Sequence, residues 1–294
     1  MNRTLAALAA VVGGVLLAYA VAVALSAPAA PRALFSAALP VPLVIARQGG
    51  AGLRPGNTLA AFENAVRMRV DMLQLDVQSS ADGALVLMHD STVDRTTEGS
   101  GAVAAFSLAE LQQLDAAYDW SADGGQSFPL RGTDVRVPAL EEVLAAFPEA
   151  RMMIDIQQEA PALGMPLCTL LAAHNMQQKV LVAAISAVAI QDFRKACPQV
   201  ATAASQREAT NFYLLNLVFV GAAYSPPFAV LQVPEKRSGL QLITPTFTST
   251  AHLKQLRLHV WTVNETDAMR RMMDAGVDGI ITDYPDRLLA LLNR

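Results

Sequence analysis

Short apolar strands alternate with amphipathic helices along most of this 294-residue chain. We predict the first strand at Val41 to Ala46 and the last at Gly279 to Thr282. Further strands are predicted between them, over residues 72–77, 84–88, 151–156, 180–185, 200–203, 229–233, 240–243 and 258–263. Repeated βα units over this length favour a closed eight-stranded (β/α)8 barrel of the TIM type over a doubly wound open sheet. The predicted fold class is therefore α/β.

A glycine-rich loop, VIARQGGAGLRPGNT from Val44 to Thr58, follows the first strand. Glycine lets a backbone approach a ligand closely, and the N–H groups of such a loop can meet an anion. Thr58 stands where it can cap the next helix. Two interpretations are open here, an anion-binding loop and a connector without a ligand.

Polar residues stand where several of the predicted strands end. In a barrel of this type, ligands bind at the carboxyl ends of the strands. Gln74 and Asp76 are two residues apart and therefore share one face of their strand, and Asp155 and Gln157 repeat this geometry. Facing polar pairs of this kind can coordinate a hard cation such as Ca²⁺ or Mg²⁺. The remaining polar strand ends are Arg47 and Gln48, His89 and Asp90, Ser186, and Trp261 to Asn264.

An uncharged apolar run extends from Leu5 to Leu25, with Arg3 before it. Its length predicts an N-terminal transmembrane helix, and the rival interpretation is a cleaved secretory signal, whose apolar region usually has about 7–15 residues. We assign residues 1–27 to a membrane anchor or signal sequence, 28–40 to a proline-rich linker and 41–294 to the barrel domain. Arg3 orients the amino terminus to the cytoplasm. The barrel is then expected outside the cytoplasm, membrane-anchored, or secreted if the segment is cleaved.

Composition excludes several classes of protein. Hydrophobic residues make up 53% and charged residues 16%, which is too apolar for a disordered chain. The net charge is -4 and no Lys/Arg-rich block occurs, so a nucleic-acid partner is excluded. Cys168 and Cys197 form no CxxC pair and no zinc-site spacing. A bridge between them is open in an oxidising compartment, but two buried thiols are the favoured interpretation.

Two apolar features, a fourteen-residue segment and one tryptophan, can each be interpreted in two ways. The segment Asn211 to Tyr224 is favoured as an ordinary barrel helix with a buried inner face, and the alternative is a lid that dips into a membrane interface. Trp261 either walls the ligand pocket or packs in the barrel core.

A set of ordered sequence pieces carries a family resemblance: IARQGGAGLRPGNTLAAF, LQLDV, MHDSTVDRTTEGSG followed by FSLAEL, VPALEEVL, IDIQ, VWTVN and GVDGIITDYPDRL. Over nearly everything from Val41 to Leu289, the chain resembles a glycerophosphodiester phosphodiesterase. The resemblance implies a barrel of the kind predicted above. It also implies hydrolysis of glycerophosphodiesters to an alcohol and glycerol phosphate with the help of a divalent metal.

This chain departs from the family pattern at the positions that carry chemistry. Asp76 and His89 are retained. The changed positions are Arg47 for His, Gln48 for Arg, Gly56 for Glu, Gln74 for Glu, Asp155 for Glu and Gln157 for Lys. The family's two histidines are understood as an acid/base pair, and Arg47 cannot replace one of them because a guanidinium stays protonated. One proton-transfer group is therefore missing.

The strand ends and the resemblance together give the predicted site residues. His89 is the predicted catalytic residue, and Arg47, Gln48 and Trp261 are the predicted substrate-binding residues. Gln74, Asp76 and Asp155 are the predicted ligands of a weakly bound Ca²⁺ or Mg²⁺, because the glutamine lacks a charge and Asp155 is a methylene shorter than glutamate.

The sequence supports two alternative functions. The first is a phosphodiesterase of lipid metabolism that acts on a glycerophosphodiester with impaired turnover. The second is a noncatalytic protein that keeps the phosphate pocket. The expected partners are a small phosphodiester and, through the amino-terminal helix, a membrane.

Overall fold

The computed structural model describes residues 3–36, 39–237 and 239–294. Within them the α-helices are α1 Arg3–Leu25, α2 Leu59–Arg67, α3 Leu108–Leu111, α4 Leu140–Ala146, α5 Gly164–Ala173, α6 Ala187–Ala196, α7 Gln206–Leu217, α8 Pro245–Leu253, α9 Thr266–Asp274 and α10 Pro285–Leu291. The strands are β1 Leu43–Ala46, β2 Met72–Ser79, β3 Leu85–Leu87, β4 Met152–Ile156, β5 Val180–Ala183, β6 Ala201–Thr202, β7 Val230–Pro234, β8 Lys236–Arg237, β9 Leu240–Gln241, β10 Arg257–Trp261 and β11 Gly279–Thr282.

Eight parallel strands form a barrel in the order β6-β5-β4-β2-β1-β11-β10-β7. A parallel bridge between Ala203 and Val230 joins its two outer strands. Strand β3 pairs antiparallel with β2 and lies outside this circle. Most residues of the barrel strands are apolar, because helices cover the outside and side chains fill the inside. The predicted parallel barrel of the TIM type is confirmed.

Apolar side chains fill part of the barrel interior. Ile45, Met153, Leu181 and Ile281 belong to one buried cluster there. Leu34, from a single 3₁₀ turn at Ala33–Phe35, joins the same cluster and is only 3% exposed. The segment predicted as a proline-rich linker thus contains one short turn, which the burial of Leu34 against the barrel stabilises.

The strand predicted at Leu240 to Ile243 does not belong to the barrel. Residues Leu240–Gln241 pair antiparallel with Lys236–Arg237 in a small, exposed two-stranded sheet. Leu240 is 61% exposed, whereas every residue of β11 is buried. A short apolar run alone does not distinguish a hairpin strand from a barrel strand, because pairing partners decide which one forms.

The amino-terminal helix α1 lies against the barrel domain near its end. Tyr19 Oη donates a hydrogen bond to the carbonyl of Phe219 (3.1 Å), and Ser26 Oγ donates to the carbonyl of Ala222 (3.1 Å). The side chain of Arg3, on which the predicted orientation rests, is outside the described residues. None of the helices in the part of the chain that the structure describes combines the length and the hydropathy of a membrane span. The predicted transmembrane anchor is therefore not supported.

The apolar segment from Asn211 to Tyr224 begins inside α7 and ends after a 3₁₀ turn at Gly221–Ala223. Phe212 on α7 is fully buried and meets Phe247 edge to face, with ring centroids 5.4 Å apart. The inner side of this helix is thus buried against α8, whereas Leu214 is 53% and Leu217 55% exposed, so both interpretations of the segment stay predictions.

The two cysteines form a disulfide that links α5 to the end of α6. Cys168 is 9% exposed and Cys197 is fully buried. The prediction of two separate buried thiols is wrong, because the adjacent packing of the two helices brings the Cα atoms to 5.5 Å.

Candidate active site

Two neighbouring parallel strands place the predicted metal ligands together at the carboxyl end of the barrel. Strand β2 carries Gln74 and Asp76, strand β4 carries Asp155, and the register pairs Asp76 with Asp155. Gln74 is 4% exposed and Asp76 is 2% exposed, so both lie inside the barrel wall. The grouping predicted from sequence is thus present in the structure.

These three residues bind one another through hydrogen bonds. Gln74 Nε2 donates to Asp76 Oδ1 (2.9 Å) and to Asp155 Oδ2 (2.8 Å). Burial and the neighbouring charge of Asp76 raise the pKa of Asp155 to about 7, against the opposing effect of the Gln74 hydrogen bond. Asp155 therefore titrates near neutral pH.

The glycine-rich loop turns tightly at the end of β1 instead of opening toward a ligand. The N–H groups of Gly50 and Ala51 donate to the carbonyl of Arg47, at 2.7 and 3.1 Å. The N–H of Gly52 donates to the carbonyl of Asp283 (3.0 Å). These donors are already paired, so the predicted approach of the loop N–H groups to an anion is not supported at these three residues.

A cavity of 370 Å³ opens beside this loop at the mouth of the barrel. Arg47, Gln48 and His89 line it, so three of the residues predicted to act on or bind a ligand meet in one place. Trp261 lies outside its lining and is 42% exposed. The prediction that Trp261 walls the pocket is not supported.

The charge of Arg47 is held at the cavity by the segment after β11. Arg47 Nη1 and Asp283 Oδ1 lie 3.0 Å apart, and Asn264 Nδ2 donates to Asp283 Oδ2 (2.8 Å). The Arg47 side chain is 28% exposed and Asp283 17%, so the pair is partly shielded from water. One guanidinium nitrogen is engaged in this pair, which leaves the group able to donate to an anion in the cavity.

His89 is oriented by a carboxylate next to it in the chain. Its Nδ1 lies 2.7 Å from Asp90 Oδ1, and Arg95 Nε donates to Asp90 Oδ2. The hydrogen bond from Arg95, and more weakly that from His89, hold the pKa of Asp90 below its usual value. An ionised Asp90 fixes Nδ1 as the protonated nitrogen, which leaves Nε2 for a ligand in the cavity.

Several lining residues were not predicted as site residues. Asp283 and Tyr284 follow β11 within the motif TDYPDRL, so the rule that ligands meet strand ends was sufficient to find them. Trp120 also lines the cavity, and its Nε1 donates to the carbonyl of Ala51 (2.9 Å). It comes from the long segment between β3 and β4, where the sequence has no periodic pattern to place it.

The residues at this site do not fit a divalent cation. Hard cations need several carboxylate or carbonyl oxygens with free lone pairs. Among the residues that the structure describes, no group of three or more His, Cys, Asp or Glu side chains is arranged to hold a metal ion. Gln74 directs its amide N–H groups, and not its oxygen, toward the two carboxylates. The predicted weak Ca²⁺ or Mg²⁺ site is therefore not supported by the donor set.

A TIM-type barrel with an arginine and an oriented histidine at the carboxyl ends of its strands has the architecture of a barrel enzyme. The model of the glycerophosphoryl diester phosphodiesterase family matches residues 48–287. A glycerophosphodiester phosphodiesterase of Caldanaerobacter subterraneus is 31% identical over 264 residues, covering 86% of this chain and 98% of that protein. A putative glycerophosphodiester phosphodiesterase of Bacillus subtilis is 34% identical over 250 residues, covering 84% and 96%.

Solved structures show the same fold at lower identity. The glycerophosphoryl diester phosphodiesterase domain of a Mycobacterium tuberculosis protein superposes with a TM-score of 0.73 at 23% identity, covering 87% of this chain and 100% of that one. An Oleispira antarctica phosphodiesterase, solved with the product sn-glycerol-3-phosphate, has a TM-score of 0.66 at 22% identity and covers 86% and 98%. With the family match over most of its length, this chain belongs to the glycerophosphoryl diester phosphodiesterase family.

Proposed function

We propose that this chain binds a glycerophosphodiester in the cavity at the mouth of its barrel and hydrolyses it with severely impaired turnover. The observation that carries the proposal is that Arg47 and His89 line one cavity. Arg47 supplies a permanent positive charge for the phosphoryl oxygens. In its cationic form, with Nδ1–H held by Asp90, His89 can give its Nε2 proton to the leaving alcohol oxygen.

The impairment follows from what surrounds these two residues. His89 can protonate the leaving group. The attacking hydroxyl must lose its own proton, and because Arg47 cannot accept it, that proton must pass to water. Loss of one general acid or base costs about 10²–10⁴ in rate. A noncatalytic protein that binds the same ligand is the second candidate, and the engagement of Gln74 with both carboxylates favours it.

The test restores the family residues as a group. Release of glycerol phosphate from glycerophosphocholine, with Ca²⁺ or Mg²⁺ present, is compared between this chain and a variant with Arg47→His, Gln48→Arg, Gly56→Glu, Gln74→Glu, Asp155→Glu and Gln157→Lys. We expect a gain of about 10²-fold or more in the variant. Equal turnover in both would overturn the proposed impairment, and ligand binding without any turnover in this chain would favour the noncatalytic candidate.

We also propose that the barrel functions outside the cytoplasm. The Cys168–Cys197 disulfide supports this location, because disulfides form and persist in oxidising compartments and are rare in the cytosol. Thiol alkylation followed by mass spectrometry of the protein from its native host tests the proposal. Two alkylated cysteines in protein taken directly from cells would contradict it.

A further inference from the structure

Side-chain amides surround the carboxylate of Asp76 at the centre of the site. Each of its oxygens accepts two of them, at distances of 2.7–2.9 Å. Oδ2 accepts from Gln48 Nε2 and Asn57 Nδ2, and Oδ1 accepts from Gln74 Nε2 and Gln157 Nε2. A carboxylate offers about four lone-pair positions. These four donors occupy all of them.

The orientation of two of these amides is fixed by the backbone. Gln74 Oε1 accepts the N–H of Gln48 (2.8 Å), and Asn57 Oδ1 accepts the N–H of Asp76 (3.1 Å). A backbone N–H can only donate, so a reversed amide would place N–H against N–H and oxygen against carboxylate at once. The amide oxygens of Gln74 and Asn57 are therefore bound to backbone N–H groups and do not face the Asp76 carboxylate, so they are not available as ligands to a cation there.

The substitution at Gly56 belongs to the same network. A Cβ atom at Gly56 would lie 2.6 Å from Gln48 Oε1 and 3.0 Å from Gln48 Cβ. The Gln48 side chain thus fills the space that a side chain at position 56 needs, and from there it reaches Asp76. Gln48 is 7% exposed, so the contact is shielded from water. Gly56 therefore leaves room for Gln48, and Gln48 and Gln74 both donate to Asp76.

The network also satisfies the negative charge that a cation would otherwise neutralise. Four amide dipoles point at one carboxylate in a buried site, where hydrogen bonds to a charged acceptor are strong. A metal ion would have to displace these donors and leave their N–H groups unpaired, which is costly for buried groups. The permanent charge of Arg47 stands at the same mouth of the barrel and repels a cation.

We infer that in this chain a ring of side-chain amides from Gln48, Asn57, Gln74 and Gln157 replaces the divalent cation at Asp76, so that phosphate ligands bind here without metal. The binding of phosphate ligands without metal rests on the proposed function. The absence of a metal ion at Asp76 does not depend on any ligand and can be tested separately.

Calorimetric titration of Ca²⁺ and then Mg²⁺ into the wild-type chain, with no phosphate ligand present, tests the metal statement directly. We expect no saturable binding, and melting temperatures that are equal in EDTA and in excess Ca²⁺. A single saturable Ca²⁺ site with a calcium-dependent rise in melting temperature would overturn the inference. Since no ligand takes part, this result is independent of whether the chain binds or cuts a phosphodiester.

The Gln74→Glu variant tests whether the amide is what excludes the ion. It removes the bridging donor and adds a third carboxylate beside Asp76 and Asp155, which creates a hard-cation donor set. We expect it to gain saturable Ca²⁺ binding and a rise of several degrees in melting temperature on Ca²⁺ addition. Gln178→Glu, an exposed change of the same type, is the matched control and should gain neither. A folded Gln74→Glu protein without a calcium response would overturn the role of the amide, and the wild-type titration decides the metal question if that variant does not fold.

Discussion

Replacing Asp76 by Asn should destabilise this protein, and the sign of the change distinguishes an amide ring from a metal site. Asp76 accepts four amide N–H groups while it is 2% exposed. Asparagine keeps one oxygen and turns an NH₂ group toward the other two donors. At least two buried donors then lose their acceptor, at about 1–3 kcal/mol each, so we expect a loss of about 2–6 kcal/mol.

A site built for a metal predicts the opposite sign in metal-free protein. There, two ionised ligand carboxylates repel each other, and removing one charge relieves the repulsion. In this chain Asp155 holds a proton below its pKa of about 7, so the same relief is small at lower pH. The assay is urea unfolding in EDTA at about pH 5, read as a shift of the midpoint at constant slope. Asp267→Asn is the control, since that side chain is 85% exposed and its ion pair with Arg270 is worth only about 0–1 kcal/mol. A gain in stability, or a loss below about 1 kcal/mol, at Asp76→Asn would refute the amide-ring account.

Three further predictions concern titration and the disulfide. Asp155 has a folded pKa of about 7, raised above the unfolded value of 3.8, so its protonation stabilises the fold at low pH. This contribution to the free energy of unfolding, up to about 4 kcal/mol, is lost as pH rises through 7. Asp155→Asn should remove that slope in urea midpoints measured between about pH 4 and 7. Both ring nitrogens of His259 are unpaired among the described residues, and burial lowers its pKa to about 4. The free energy of unfolding should therefore fall by up to about 3 kcal/mol as pH decreases from about 6.5 to 4, and His259→Leu should flatten this decrease. Reducing the Cys168–Cys197 disulfide should lower stability by about 2–4 kcal/mol, and an unchanged melting temperature in dithiothreitol would contradict that.

The positions of the central site residues were predictable because they depend on strand periodicity. Gln74 and Asp76 share a face of β2, and parallel pairing brings Asp155 on β4 beside them. Their hydrogen bonding was not predictable. Whether Gln74 offers its oxygen to a cation or its N–H groups to carboxylates depends on the backbone N–H of Gln48, which only the folded loop brings within 2.8 Å.

Other errors arose where pairing partners, and not local pattern, decide the outcome. Leu240 lies in an apolar run that reads like a barrel strand, yet it pairs with a neighbouring hairpin segment and stays exposed. Cys168 and Cys197 read as separate buried thiols because the packing of α5 on α6 is not visible in either helix alone. Trp261 ends its barrel strand as predicted, but it is not among the residues that line the cavity.

If Arg47 holds a phosphate ligand without a metal ion, Ca²⁺ should not change the affinity of this protein for the ligand. Calorimetric titration of sn-glycerol 3-phosphate into the wild-type chain, once in EDTA and once in excess Ca²⁺, measures that affinity. We expect saturable binding with the same affinity in both buffers. Binding that is present in Ca²⁺ and lost in EDTA would contradict it.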